Sequence, residues 1–497
     1  MRQLRDLLFV ASAAPEDDLS RAAAARSTIA IAGAAFCLSM ACAFTMPILF
    51  GADERVHLAY VEVLLSGELP EVDQDVPLDG HFGVLREFYP DGTEGSGPRG
   101  DVWVAGHPPL SYLVAVPPAW LAASVGYDRG PPMILRVLCG LGMALGVLAT
   151  AAVSDALLPA RRRSAVLAAA LAAFTPMLVS VGSYGFNDGA AFAAGTALLA
   201  AVLRVARFGP TRNRLVGTVC LAVVAALTRS ALLPLVPIAA AVWLIRSWGT
   251  GRRSALMGAA LVAVVPAIAG GWFYLRNIDL YGSFSGSGYL QAKFDRARTG
   301  STFDLLRNPR FLLGAWQDLW GSFRSNLGVG SGYGIVGSPN AQIGSRIVIG
   351  ASLVVASALG LLASLVQRRR RQPNGGFTWA VAAVWAAICI VALASFASGG
   401  GSPHPRYLIP AHAVTVTVIV AGLSRLPWGR LVVPATILGI VSIDLLLFSR
   451  LPVLLVERPW PSRFAQPGSS TVVVLLALGA GVAAGARAVG ALRDVQD

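Results

Sequence analysis

Two adjacent carboxylates, Asp53 and Glu54, stand just past the first long apolar run, Ser27 to Phe50. About 20 apolar residues at 1.5 Å rise cross the roughly 30 Å core of a bilayer. A carboxylate at the exit of such a helix has water on one side and hydrocarbon on the other. There it could take a proton from a polar acceptor while a lipid-borne reactant arrives through the membrane. The plainer reading, a helix N-cap with acidic first-turn residues, is open beside it. Arg229 is the strongest electrostatic candidate. Its turn, Thr228-Arg229-Ser230, joins two short apolar runs, Leu215–Leu227 and Ala231–Ile245, so the guanidinium is expected below the outer surface. An arginine at membrane depth lines a polar cavity, where phosphate is a natural partner, or it snorkels to the interface.

Other candidates share that side. His107 precedes Pro108-Pro109-Leu110, where prolines suit a first helical turn, and it either caps the turn or donates to a substrate. Asn187-Asp188 opens a crossing. Arg276 ends one in Leu275-Arg276-Asn277, and Arg406, with Tyr407 beside it, begins one in Pro405-Arg406-Tyr407-Leu408-Ile409-Pro410. Arg276 and Arg406 break the inward preference of arginine, which marks them out from the basic loops. Asp444, within a late apolar run, receives no role.

These residues need elements to position them. Apolar runs lie near 28–50, 110–125, 133–158, 164–184, 188–206, 214–228, 230–247, 254–276, 346–367, 376–398, 406–424, 430–448 and 470–490. If all of them cross, the basic clusters from Arg161-Arg162-Arg163 onward face outside. If 110–125 does not cross, every cluster falls inside, as the positive-inside rule asks. That run is short and carries Pro117-Pro118, which suits a re-entrant or interfacial helix. The expectation is twelve spanning helices with both ends cytoplasmic. A cytoplasmic segment 1–26 precedes a single membrane domain over 27–490, and a tail follows at 491–497. Loops 51–132 and 277–345 face outward. The first holds about half of the 27 acidic residues. Asp53 to Gly67 reads as a helix along the membrane surface, with Val56, Ala59, Tyr60, Val63 and Leu64 on one face. The stretch 88–101 is turn-rich. Trp316, Trp320 and Phe323 suggest a helix on the outer interface.

Composition agrees. The chain is 55% hydrophobic and 13% charged, with mean hydropathy +0.63, which excludes an ordinary soluble domain. The net charge of +13 sits in short loops between apolar runs, so it reports topology and not a nucleic-acid partner. Lys293 is the only lysine, and the Ala, Arg, Val and Gly usage points to a high-GC bacterial genome. Cys37, Cys42, Cys139, Cys220 and Cys389 all lie in apolar runs with no disulfide or metal spacing. The first run is too long for a signal-peptide core and reads as a retained anchor. No phosphate loop, nucleotide fingerprint or HExxH motif is present. A divalent cation is the one cofactor candidate, for Asp53, Glu54 and Asp188 to bind if they converge. Group transfer on the outer face, without nucleotide supply, needs a donor carrying its own activation, such as a polyprenyl-phosphate sugar.

In order, the chain carries Ala52-Asp53-Glu54-Arg55-Val56-His57, Leu65-Ser66-Gly67-Glu68-Leu69-Pro70, His107-Pro108-Pro109-Leu110, Asn187-Asp188, Thr228-Arg229, Leu275-Arg276-Asn277 with Tyr281-Gly282, and Arg406-Tyr407-Leu408-Ile409-Pro410. Together these resemble the GT-C superfamily of polyprenyl-phosphate-dependent membrane glycosyltransferases, in its protein mannosyltransferase and aminoarabinose transferase branch. The resemblance implies an all-α polytopic fold in which the Pro-Pro-Leu helix does not cross. It implies Asp53 as catalytic base with Glu54 as helper, and His107, Asn187, Asp188 and Tyr407 on sugar or acceptor. Arg229, Arg276 and Arg406 would hold the lipid phosphate as it leaves in an inverting displacement. The family's Thr-Lys is Thr228-Arg229 here, which changes hydrogen-bond geometry, and His107 replaces a basic residue of the aminoarabinose transferases. A further expected departure is the lack of a soluble exoplasmic domain after the last apolar run. The expected partners are a polyprenyl-phosphate sugar, an envelope glycan, lipid or protein acceptor, and the bilayer of a bacterial plasma membrane, with the site facing outward. A lipid-linked glycan flippase predicts internal repeats and broken midplane helices, which the sequence does not show. A non-catalytic envelope-assembly protein has no use for Arg229 at depth.

Overall fold

A computed structural model of the chain describes residues 16–51, 53–88, 100–159, 161–298, 300–321, 374–401, 404–425, 431–442 and 471–492, with a few isolated positions elsewhere. The architecture is all-α, with no strand among the described residues beyond one isolated bridge between Asp75 and Asp101. Among the described residues, eight helices are long and apolar enough to cross a membrane: Ser20–Thr45, Gly130–Leu157, Asp188–Phe208, Ser230–Thr250, Arg252–Tyr281, Gly375–Ser398, Arg406–Leu423 and Val474–Ala491. The chain is a multi-pass membrane protein. The apolar run 346–367, Phe323, Asp444 and most of the turn-rich stretch 88–101 lie outside the described residues.

Helix ends follow local chemistry. The first helix, Glu16–Thr45, stops short of the apolar run's end, because Pro47 has no N–H and restricts Met46 before it. The run 164–184, expected to cross as one helix, is broken at Thr175-Pro176 into Arg162–Ala173 and Pro176–Val181. Thr175 is extended there (φ −64°, ψ 122°), as the residue before proline prefers. Leu110–Ser124 has 15 residues, about 22 Å at helical rise and too short to span. Its Leu113, Val114 and Leu121 are half or more exposed, as an interfacial helix requires.

Small residues set one close helix contact. Gly130–Leu157 packs along Asp188–Phe208 through Gly142, Gly146 and Gly189. A Cβ on Gly189 would stand 2.1 Å from the Cys139 carbonyl oxygen, and one on Gly146 2.1 Å from the Phe192 ring. This Gly142-x-x-x-Gly146 spacing lets backbones approach in a solvent that supplies no hydrophobic drive between helices.

Above the bundle, Glu54–Leu65 seeds a separate apolar core with Val72, Val76, Leu85, Val102, Tyr112 and Tyr281. The predicted face of Val56, Ala59, Tyr60 and Val63 is buried, but so are His57, Leu58, Val61 and Glu62. The helix is therefore wrapped by chain on nearly every side and not on one face alone. Glu62 accepts from the backbone N–H groups of His81 and Phe82, which closes the wrap. Trp320, expected at the interface, is buried against His412, with Trp316 packed beside it.

Candidate active site

Asp53 occupies the N-cap position of Glu54–Leu65, yet its side chain makes no capping hydrogen bond. It accepts instead from Arg406 Nη2 at 2.7 Å. Arg406 lies in the 3-10 turn Pro405–Ala411, and its Nη1 stands 3.9 Å from Asp188 Oδ2. Asp188 is the first residue of its helix, and its other oxygen accepts from Arg229 Nη1 at 2.5 Å. Arg229 is the extended residue (φ −159°, ψ 136°) between Arg212–Thr228 and the 3-10 turn Ser230–Leu232, and it also reaches Asn187 Oδ1 at 3.4 Å. Two carboxylates and two guanidiniums, far apart in sequence, thus form one chain of ion pairs. Aromatic faces hold the cations: Arg406 sits 5.2 Å from the Phe186 ring centre and Arg229 5.7 Å from that of Tyr407.

Burial opposes ionisation of Asp53, but the Arg406 guanidinium outweighs it, with help from His57 and His404, and holds the carboxyl down at about 2. His57 lies one helical turn after Asp53 and makes a 2.8 Å hydrogen bond from Nδ1 to the Tyr112 hydroxyl. Burial pulls His57 down to about 4, so the ring is neutral at pH 7. Tyr60 stacks on Tyr112 at 3.9 Å and donates to the His107 carbonyl at 2.9 Å, fixing the turn that carries His107. His107 Nδ1, Asn187 Nδ2 and Arg406 Nε are buried without a protein partner. Buried polar atoms are ordinarily paired, so these three mark places for ligand polar groups or water.

Glu54 faces away from this cluster. Its carboxylate takes Arg136 Nε at 2.7 Å and Nη2 at 2.9 Å, with backbone N–H groups of Gly51 and Gly185 at 2.9 and 2.8 Å. Arg136 is fully buried and also donates to the carbonyls of Ala43, Met46 and Pro47. The three carboxylates that could bind a cation if they converged are apart: Glu54 belongs to Arg136, and a guanidinium stands between Asp53 and Asp188. Among the described residues no three His, Cys, Asp or Glu side chains form a metal-holding group.

Arg276 does not join the cluster either. It donates to the carbonyls of Leu69 and Pro70 at 3.2 and 3.0 Å, so two of the sequence motifs meet each other as a strut. Its neighbour Asn277 is buried and donates to Gly106 and Phe284 carbonyls at 3.0 and 2.9 Å, supporting the His107 turn from below. Of the predicted residues, Asp53, Asn187, Asp188, Arg229, Arg406 and Tyr407 come together, with His107 beside them. His57, Tyr112 and Arg136 were not predicted. His57 carried a signal, its one-turn offset from Asp53. Arg136 carried the one used for Arg229, a cation inside an apolar run.

A cavity of about 270 Å³ lies between the helices beginning at Leu110, Gly130, Asp188 and Arg212. Tyr112, Phe186 and Asn187 line it on the side of the ion pairs, while Val114, Leu141 and Leu145, each about half exposed, line it toward the apolar outer surface.

No family model matches the chain, and no curated protein matches it by sequence. Among solved structures it is similar to ArnT from Cupriavidus metallidurans bound to undecaprenyl phosphate, at 17% identity over 93% of this chain and 77% of that one, TM-score 0.47. The apo state of the same protein aligns at 18% identity over 94% and 72%, TM-score 0.48. The Archaeoglobus fulgidus oligosaccharyltransferase in complex with zinc and sulfate aligns at 16% identity over 88% of this chain and 57% of that one, TM-score 0.48.

Proposed function

We propose that the chain is a GT-C-type membrane glycosyltransferase, moving a sugar from a polyprenyl-phosphate donor to a cell-envelope acceptor on the outer face of a bacterial plasma membrane. The observation that carries this reading is one juxtaposition. The Asp53 carboxylate, paired with Arg406, stands in one chain of ion pairs with Asp188 and Arg229, next to a mostly apolar cavity bordered by the exposed side chains of Val114, Leu141 and Leu145. Lipid-borne phosphate and water-borne hydroxyl need those opposite surroundings at once.

In the reaction, the Asp53 carboxylate accepts the proton of the acceptor hydroxyl as its oxygen bonds to the anomeric carbon. The bond from that carbon to the phosphate oxygen breaks, and its electron pair leaves on the phosphate. Arg406 and Arg229 stabilise that growing charge, and the start of the Asp188 helix adds its dipole. Attack from the face opposite the leaving group inverts the anomeric centre. His107 Nδ1 and Asn187 Nδ2, buried and unpaired, are suited to sugar hydroxyls. Tyr407 holds the arginines from the side. Glu54 is a positioning residue that fixes Asp53 through the backbone, and Arg276 ties loop 66–71 to the bundle. Every step uses the chain's own residues.

The experiment supplies polyprenyl-phosphate sugars, radiolabelled in the sugar, to membranes carrying wild type or Asp53→Asn, and follows label into envelope acceptors. Transfer by wild type alone supports the reading and names the sugar. Equal transfer removes Asp53 as base. Label that crosses the bilayer still on its lipid, with no transfer, replaces the transferase reading with a flippase.

A further inference from the structure

The four ion-paired side chains are self-neutralised: Asp53 and Asp188 against Arg229 and Arg406. Their side chains are only 21%, 4%, 9% and 15% exposed, so water screens them poorly. A phosphate entering beside them finds no spare cation in the cluster. Unless a carboxylate gives up its arginine, the pocket gains uncompensated negative charge at low dielectric.

The two carboxylates are not equally held. Asp188 is the more buried, begins a helix, and has in Arg229, at 2.5 Å, a partner separate from Arg406. Asp53 is the more exposed, and Arg406 is its ion-pair partner. Arg406 itself lies in a 3-10 turn and has a third nitrogen, Nε, that is buried without a partner. A phosphate oxygen at Nε and Nη2 would give that guanidinium the paired contact its fork favours. We infer that Arg406 is a masking residue: it covers Asp53 while the site is empty, and an arriving lipid phosphate draws it off and uncovers the base.

The mask makes donor binding the condition for base function, so an acceptor arriving first meets a carboxylate that is already engaged. This consequence rests on the transferase reading. The exchange of carboxylate for phosphate on Arg406 does not, and binding alone tests it.

The experiment measures binding of undecaprenyl phosphate to the purified full-length protein in detergent micelles, with undecaprenol as the uncharged control. Wild type, Asp53→Asn, Arg406→Gln and the double variant are compared. Removing the competing carboxylate of this mostly buried pair is expected to tighten undecaprenyl phosphate at least about tenfold, and to leave undecaprenol unchanged. In the Arg406→Gln background the same substitution is expected to change nothing, since there is no shared cation to compete for. Asp53→Asn with unchanged affinity overturns the inference. So does equal tightening in both backgrounds, which reports general charge relief. Should Arg406→Gln fail to fold, Arg406→Lys takes its place: it lacks the fork, so the gain from Asp53→Asn must shrink, and an undiminished gain overturns the mask. A tenfold gain with no sugar transfer in any assay retires the transferase reading and leaves the exchange standing. Transfer by wild type with no gain does the reverse.

Discussion

Arg136→Met is the substitution whose cost the structure defines best. The guanidinium makes five hydrogen bonds, two to Glu54 and three to the carbonyls of Ala43, Met46 and Pro47, with no exposed atom. Methionine fills similar volume but leaves the Glu54 charge on only two backbone N–H groups and three carbonyls on none. Breaking one side of a buried pair costs about 3–5 kcal/mol. Over 497 residues, an unfolding entropy of about 2.1 cal/mol/K per residue makes this a fall in Tm of roughly 3–5 °C. Thermal unfolding followed by size-exclusion monodispersity in detergent measures it. The double variant Arg136→Met, Glu54→Gln removes both charges and should recover about half of the loss. Because Glu54 adjoins Asp53, the proposed transferase reading has the single variant also lose sugar transfer without touching substrate. A single variant as stable as wild type, or a double variant no better than the sum of its singles, refutes the reasoning: Arg136 and Glu54 would then not be coupled.

Three more tests probe other joints. Gly189→Ala places a Cβ 2.1 Å from the Cys139 carbonyl oxygen and should cost about 1–3 kcal/mol with loss of transfer, whereas Gly217→Ala meets open space and should be neutral or stabilising by up to about 1 kcal/mol in thermal unfolding. Asn277→Leu leaves the Gly106 and Phe284 carbonyls without their donor and should cost about 2–4 kcal/mol, with faster limited proteolysis near His107. His57, held down at about 4, is neutral when folded and gains a proton on unfolding below about 6.5. Stability should therefore fall as pH drops from 6.5 to 4, by up to about 3 kcal/mol for the 2.5-unit gap, and His57→Gln should flatten that slope in melting curves taken across the range.

The bundle was legible because a membrane helix must be continuously apolar, and the non-crossing Leu110–Ser124 helix because misplacing it disturbs every later arginine. The Thr175-Pro176 break was hidden within a run whose hydropathy never falters, since proline is apolar enough to pass while still breaking the helix. The candidate site was legible where charge stands in the wrong solvent: Asp53, Asp188, Arg229 and Arg406. Partner choice was not. Glu54 and Asp53 are neighbours in sequence with the same chemistry, but successive helical residues point about 100° apart. One therefore meets Arg406 and the other meets Arg136. Nor could spacing reveal that Arg276 spends its guanidinium on the carbonyls of Leu69 and Pro70.

Each charge in the cluster comes from a place where helix stops. Asp53 follows the corner after Thr45, Asp188 starts a helix, Arg229 lies between two, and Arg406 sits in a 3-10 turn. Irregular backbone at membrane depth survives only where its N–H and C=O groups find partners inside the protein or line a polar cavity. Arg136 shows how the two demands are met together. The first helix ends at Thr45, ahead of Pro47, and leaves the carbonyl of Ala43 in its last turn and that of Met46 just past it without intrahelical donors, the usual condition of a helix C-terminus. Arg136 supplies donors to both and to the Pro47 carbonyl, adds favourable charge at that end of the dipole, and uses its other two contacts to hold Glu54. The break that frees the chain to place Asp53 thus creates the orphan carbonyls that anchor the arginine, and that arginine fixes the residue beside Asp53. Stability and position of Asp53 share one cause, so a substitution that restores the helix through Pro47 should gain backbone hydrogen bonds and lose the site.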